Sequence, residues 1–269
     1  MAVDPARLTS AREDTDVLVA AVRAGGEVAR RYFGAAAERW DKADGTPVSV
    51  ADLEVDRCLA EHLRGARPHY GWVSEETSAA PGVCGRAFVV DPIDGTRAFL
   101  RGETAWTVVA AVVEDGRPIA AAILRPVTGV LYCASLGGGA FRDGAPVHVT
   151  GRTRLDGAEI AAPGPLFREG GFPERGVKRA ASIPSLALRL ARVAEGRLDG
   201  VITKQGPHHW DLAAADLIVH EAGGTLTSLD GTRPLYDSAS TAHAPIVAGP
   251  RDLAEALRRL AADYAAHTA

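Results

Sequence analysis

The chain has 269 residues, 46% of them hydrophobic, which suits one large globular unit or two intimately packed halves and not a string of independent domains. Its 30 Lys and Arg against 34 Asp and Glu give a net charge of -4, so the basic excess of a nucleic-acid or anionic-membrane binder is missing and a small diffusible partner is expected. Cys58, Cys84 and Cys133 are odd in number, far apart and in no C-x-x-C pair, which speaks against a disulfide framework or zinc site and fits a reducing cytoplasm.

From Met1 to Asp16 charged residues such as Arg7, Arg12 and Glu13 break up any apolar core, so this stretch reads as a loose arm and not as a signal peptide. No later apolar run reaches membrane-spanning length. Between Val17 and Phe33 apolar residues recur at helical spacing, with Asp14 or Thr15 as the expected cap. After the polar stretch Asp41 to Pro47, a second helical pattern contains Leu53, Leu59 and Leu63, and Ser49 is its natural N-cap. The two helices should pack antiparallel. Beyond Pro68 come short β-rich runs, Arg86–Val90, Trp106–Val113, Pro118–Leu124 and Val130–Ala134, separated by turns such as Glu114-Asp115-Gly116-Arg117. The second half alternates helical stretches (Leu186–Ala194, Asp211–Ala222, Leu253–Tyr264) with strands (Gly200–Thr203, Thr225–Leu229, Ile246–Ala248). Helices, then strands, then alternation predict a layered α+β fold. Two halves follow: 1–145, carrying most of the candidate metal ligands, and 146–269, carrying Asp211 and a substrate-side loop.

Asp91-Pro92-Ile93-Asp94-Gly95-Thr96 is the densest chemical signal. Phe88-Val89-Val90 reads as a buried strand that delivers Asp91 onto a turn whose backbone Pro92 constrains. Asp91, the Ile93 carbonyl and Asp94 are hard oxygen donors of the kind Mg²⁺ prefers, and Gly95 and Thr96 can offer backbone N–H groups to a phosphate. A lone Asp-Gly would mark only a hairpin turn; the hexapeptide says more. Ser74-Glu75-Glu76 alone would be a solvated pair of acids, and Asp211 alone a helix cap. A helix start is, however, also a rigid place from which to aim a carboxylate at a second metal.

Three separated motifs now resemble the inositol monophosphatase superfamily of Mg²⁺-dependent, lithium-sensitive phosphatases. They are Lys42-x-Asp44-x-Thr46-Pro-Val-Ser-x-Ala-Asp52, the Asp91 hexapeptide preceded by Ser74-Glu75-Glu76, and Trp210-Asp-Leu-Ala-Ala followed by Glu221-Ala-Gly-Gly224. The resemblance implies an α-β-α-β-α sandwich. It also implies that Glu75, Asp91 and the Ile93 carbonyl hold one Mg²⁺, that Asp91, Asp94 and Asp211 hold a second, and that Asp52 lies near a weaker third. Glu75, Asp52 and Thr96 become the catalytic residues: a water activated by Mg²⁺ and oriented by a Thr96–Asp52 pair attacks phosphorus in line. Homodimers are common in families resembling this one.

The substrate expected is a small-molecule phosphate monoester. Inositol-selective relatives place a Glu a few residues before the Trp-Asp motif, where this chain has Thr203-Lys204, and a small Gly-Ser/Thr-Ala segment where it has Pro184-Ser185-Leu186. A cation suits a second phosphate better than neutral hydroxyls. The Lys204-to-His209 loop and the Asp91-to-Phe99 segment together resemble bacterial 3′(2′),5′-bisphosphate nucleotidases, which implies 3′-phosphoadenosine 5′-phosphate as substrate with Lys204 or His209 near its 5′-phosphate. Inositol 1-phosphate and histidinol phosphate are the alternatives, and a metal-dependent binding protein without turnover is the non-enzymatic one. The Asp-x-Asp signature of haloacid-dehalogenase phosphatases does not match acids three apart, and Gly137-Gly138-Gly139 leads into a hairpin signal, Phe141-Arg142-Asp143-Gly144, and not into a P-loop helix.

Overall fold

Asp4 caps the first helix, α1 (Pro5–Tyr32), its side chain accepting the Ala6 N–H. The computed structural model describes residues 4–35, 38–41, 45 and 47–268, so Lys42, Asp44 and Thr46 of the interhelical motif lie outside the described residues. Residues 5–16 are thus helical turns and not a loose arm, and Asp14 and Thr15 are buried within the helix instead of capping it. The physical reason is that Ala11, Asp14, Thr15 and Leu18 form one buried stripe at helical spacing whose two polar members hide its periodicity. Thr15 returns its hydroxyl to the Ala11 carbonyl at 2.9 Å, and Asp14 is met by Arg67 Nε at 3.0 Å.

Helix α2 (Val50–Ala66) runs antiparallel to α1, since Arg67 at its end meets Asp14 while Leu59 in its middle packs on Gly25. Ser49 is its N-cap, and a two-stranded ribbon, β1 (Arg39–Asp41) with β2 (Pro47–Ser49), leads into it. A seven-stranded sheet follows in chain order: β3 (Gly71–Ser74), β4 (Arg86–Asp94), β5 (Thr107–Glu114), β6 (Arg117–Arg125), β7 (Val130–Ser135), β8 (Gly139–Arg142) and β9 (Ala145–Pro146). Its pairs are antiparallel except β3 with β4. Asp115-Gly116 and Asp143-Gly144 make the two tight hairpins, all four residues at positive φ as a type I′ turn requires.

Short helix α3 (Thr96–Leu100) leaves the end of β4. A second, five-stranded sheet comprises β10 (Glu159–Ala161), β11 (Lys178–Arg179), β12 (Gly200–Ile202), β13 (Thr225–Ser228) and β14 (Ile246–Gly249), in the order β11-β10-β12-β14-β13. Among these strands run α4 (Gly164–Glu169), α5 (Leu186–Ala194), α6 (His209–Glu221) and the last helix, α7 (Arg251–Thr268).

Alternation along the strands shows the layers. Phe88, Val90, Val108, Val112 and Leu124 pack with Leu18, Val22 and Leu59 of α1 and α2. Their neighbours Val89, Val109, Ala111 and Ile123 pack on the other face with Leu188, Leu212 and Leu217 of α5 and α6, which also cover Val201, Leu226 and Ala248 of the second sheet. The far face of that sheet, with Ile160, Ile202 and Val247, is closed by Phe167, Leu253 and Leu257 of α4 and α7. The fold is the expected α-β-α-β-α sandwich. The central strands read as continuous apolar runs because both faces are buried. No described helix is long and apolar enough to cross a membrane.

Candidate metal centre

The face on which each β4 side chain falls decides where the carboxylates go. Val89 belongs to the α5/α6 side, so Asp91, two residues on, points there too. Asp94, three residues on, would fall on the opposite face of a regular strand. Instead three steps on β4, Asp91 to Asp94, are matched by two on β5, Val109 to Thr107. This one-residue bulge at Pro92-Ile93 leaves Ile93 in the α1/α2 core and returns Asp94 to the side of Asp91. Pro92 is tolerated there because a bulge needs no ladder N–H from it. The hexapeptide is therefore a bulged strand end, where a turn was expected. Gly95 follows at φ 99°, with Ala105, Trp106 and Ser185 crowding the place of a Cβ.

Asp211 arrives from the first turn of α6, its carboxylate accepting the His208 N–H at 2.5 Å. Each of Asp91, Asp94 and Asp211 offers one oxygen, and the three oxygens lie within 4.8 Å of one another. Parallel pairing sets Ser74 opposite Val90, which carries Glu75 alongside Asp91. Asp52, in the first turn of α2, accepts the Ser49 N–H at 2.8 Å and the Ser49 hydroxyl at 2.6 Å on Oδ2. Its Oδ1 lies 3.2 Å from Thr96 Oγ1, which is also 3.0 Å from the Ile93 carbonyl oxygen.

Sequence reasoning missed what holds Asp94. Ser185 caps α5 and donates to Asp94 Oδ2 at 2.5 Å, the Ala187 N–H donates to the same oxygen at 2.8 Å, and the Leu186 N–H reaches Oδ1 at 3.1 Å. The available signal was a Ser immediately before the apolar run Leu186–Ala194, which marks a helix start. Arg189, one turn further on, also went unnoticed.

Electrostatics sets the cluster apart. Burial, then the neighbouring Glu75, Asp94 and Asp211, push the Asp91 carboxyl well above the usual carboxylate range. Asp211 is pushed up to about 8 by burial and by Asp94. Asp94 is raised by burial against the opposing bonds from Ser185, Ala187 and Leu186, and Asp52 by burial against those from Ser49. Burial lowers Arg189, while Asp94 and Asp211 act on it in the other direction.

Two expected substrate residues sit elsewhere. His209 is buried, with Nδ1 2.8 Å from His243 Nε2 and its ring edge-on to Tyr236. Lys204 is exposed and lines a largely apolar cavity of about 340 Å³ with Pro163, Ile202, Pro245 and Tyr264.

With this geometry in place, the inositol monophosphatase family model matches residues 10–266. The chain belongs to that family. It is 33% identical over 260 residues to an inositol-1-monophosphatase of Rhizobium meliloti, covering 91% of this chain and 94% of that protein. A histidinol-phosphatase of Mycobacterium tuberculosis is 37% identical over 219 residues, covering 76% and 83%. The crystal structure of extragenic suppressor protein SuhB from Bartonella henselae superposes with a TM-score of 0.82 at 30% identity, covering 91% of this chain and 97% of that one. This inositol monophosphatase family member is a phosphoric monoester hydrolase. Its donor set fits a divalent cation. Asp91 Oδ1 is buried without a hydrogen-bond partner among the described residues, and Asp94 Oδ1, with one donor, keeps a lone pair free.

Proposed function

We propose that the protein is a Mg²⁺-dependent phosphatase that hydrolyses a small-molecule phosphate monoester by direct attack of water. The observation that carries the reading is the convergence of Asp91, Asp94 and Asp211 with a buried, partnerless oxygen among them. Glu75, Asp91, Asp94, Asp211 and the Ile93 carbonyl would hold two Mg²⁺ ions, with a third near Asp52. When bound, Mg²⁺ supplies positive charge that acidifies water and neutralises the phosphate. The remaining work falls to the chain. Thr96 Oγ1, polarised by Asp52 Oδ1, accepts a hydrogen bond from the attacking water, and Asp52, whose carboxyl burial has raised, can hold the departing proton. Gly95 and Thr96 open α3 beside the acids, where their N–H groups can meet phosphate oxygens. Ser185 and the first amides of α5 fix Asp94, so the acids are preorganised.

The leaving group is a finer matter. Relatives named inositol-1-monophosphatase and histidinol-phosphatase favour those two esters. The cation at Lys204 favours 3′-phosphoadenosine 5′-phosphate, hydrolysed at its 3′ position, although Lys204 lines a mainly apolar cavity. Phosphate release with Mg²⁺ from inositol 1-phosphate, histidinol phosphate and 3′-phosphoadenosine 5′-phosphate tests both levels. Release from none of the three counts against the phosphatase; kcat/KM highest for either of the first two removes the nucleotide reading.

A further inference from the structure

The first turn of α5 has a second face. Ser185 and the amides of Leu186 and Ala187 are committed to Asp94, while Arg189, one turn along, lines a cavity of about 160 Å³ together with Arg179 and Ser182. Ala161, Ala162, Ala180, Ala181 and Ile183 complete the wall, and no acidic residue takes part. Nor is a carboxylate within ion-pair distance of its cations among the described residues. Among the described residues neither Arg179 nor Arg189 forms an ion pair, and Arg189 Nε reaches only the Ser185 carbonyl, at 3.4 Å. A third guanidinium stands close by: a Cβ placed on Gly164 would lie 3.2 Å from Arg168 Nη1 and 3.3 Å from Arg179 Nη2. Arg189 feels Asp94 and Asp211 only at a distance, and those acids belong to the metal centre, so arginines lining one cavity repel one another until an anion joins them.

Resting on the phosphatase reading, we propose that this cavity receives a second anionic group of the substrate, a phosphate or carboxylate carried by the leaving group. Arg179 and Arg189 bind that group while the scissile phosphate lies against Asp91, Asp94 and Asp211, one helical turn away. The volume is ample for a tetrahedral anion, and the charged end of the leaving group enters it. Two arginines in its wall, with Arg168 near Arg179, also repel a leaving group that carries an ammonium.

Two matched pairs of esters read this directly. Each pair shares the scissile phosphate and differs in the second one: adenosine 3′,5′-bisphosphate against adenosine 3′-monophosphate, and fructose 1,6-bisphosphate against fructose 1-phosphate. With the whole protein and Mg²⁺, at least one bisphosphate should show kcat/KM roughly ten-fold or more above its partner, the size of one charge-assisted hydrogen bond. That ratio should fall toward one in Arg179→Gln and in Arg189→Gln, and Arg189→Lys should restore part of it. Arg179 is exposed at a strand edge, so its variant remains informative even where Arg189→Gln does not fold. Turnover of the monophosphates with no preference in either pair, or a preference indifferent to Arg179→Gln, overturns the inference and leaves the phosphatase standing. If no ester is hydrolysed, the phosphatase reading fails, and calorimetry decides the inference by binding: equal affinity for the members of both pairs overturns it.

Discussion

Strand β4 has buried charge at both ends and treats it in opposite ways. At its start Arg86 Nη1 lies 3.0 Å from Asp14 Oδ2, which Tyr70 also reaches at 2.9 Å, while Arg67 holds Asp14 Oδ1 at 3.0 Å. The same guanidinium meets half-buried Glu114 at 2.7 Å, so Asp14 and Glu114 each have an arginine. At its finish Asp91 and Asp94 are joined by Asp211, with Glu75 close enough to raise Asp91, and no arginine or lysine forms an ion pair with any of the three aspartates among the described residues. Buried acids with partners hold the architecture together; buried acids without them are a site for something that is not protein.

The largest effect should come from isosteric neutralisation at the unpaired end. Asp91→Asn is expected to lower kcat/KM by at least about 10²-fold, since losing even an outer partner of a metal site costs ten- to a hundred-fold. Without Mg²⁺ the same variant should melt higher than wild type, by about 2–4 °C for each kcal/mol of repulsion relieved, and its melting should no longer respond to Mg²⁺. An active Asp91→Asn with a normal Mg²⁺ response would break the comparison. At the paired end the same change acts in reverse. Asp14→Asn should cost about 3 kcal/mol, measured by urea unfolding, because it leaves half-buried Arg86 and Arg67 short of a counter-charge. Activity per folded molecule should be unchanged.

A smaller effect is expected where the two kinds of region meet. Ser185→Ala removes an N-cap, worth about 1 kcal/mol, and loosens Asp94, weakening Mg²⁺ affinity about ten-fold by calorimetry. A stability loss with unchanged affinity would make Ser185 a cap and nothing more.

The smallest is a pH dependence. A carboxyl raised on folding stabilises the folded state below its ordinary value, 3.8 for Asp211, and that contribution is lost as pH rises toward about 8. Mg²⁺ binds the deprotonated acids, so saturating Mg²⁺ should raise Tm more at pH 8 than at pH 6. Equal gains would contradict the shared origin of these shifts.

How much of this was legible in the sequence differs between the same two regions. The strand runs, both Asp-Gly hairpins, helix α5 and the α+β layering follow from local periodicity and turn chemistry, and the structure has them where expected. The start of α1 was not legible, because Asp14 breaks the apolar stripe and its partners, Arg67 and Arg86, are distant in sequence. In the site, the Asp91 hexapeptide, Glu75, Asp211 and Asp52 were readable as chemistry, but not the bulge that puts Asp91 and Asp94 on one face, which depends on pairing with β5. Arg179 and Arg189 carry no local sequence signal, since they come to line one cavity only in the folded chain.

The central claim, that the unpaired end of β4 is a metal centre, can be tested without any substrate. Crystals grown with Mn²⁺ in place of Mg²⁺ should give an anomalous difference peak bounded by carboxylate oxygens of Asp91, Asp94 and Asp211, and the peak should vanish in Asp91→Asn. Full Mn²⁺ occupancy elsewhere in the molecule, with those three carboxylates bare, would contradict it.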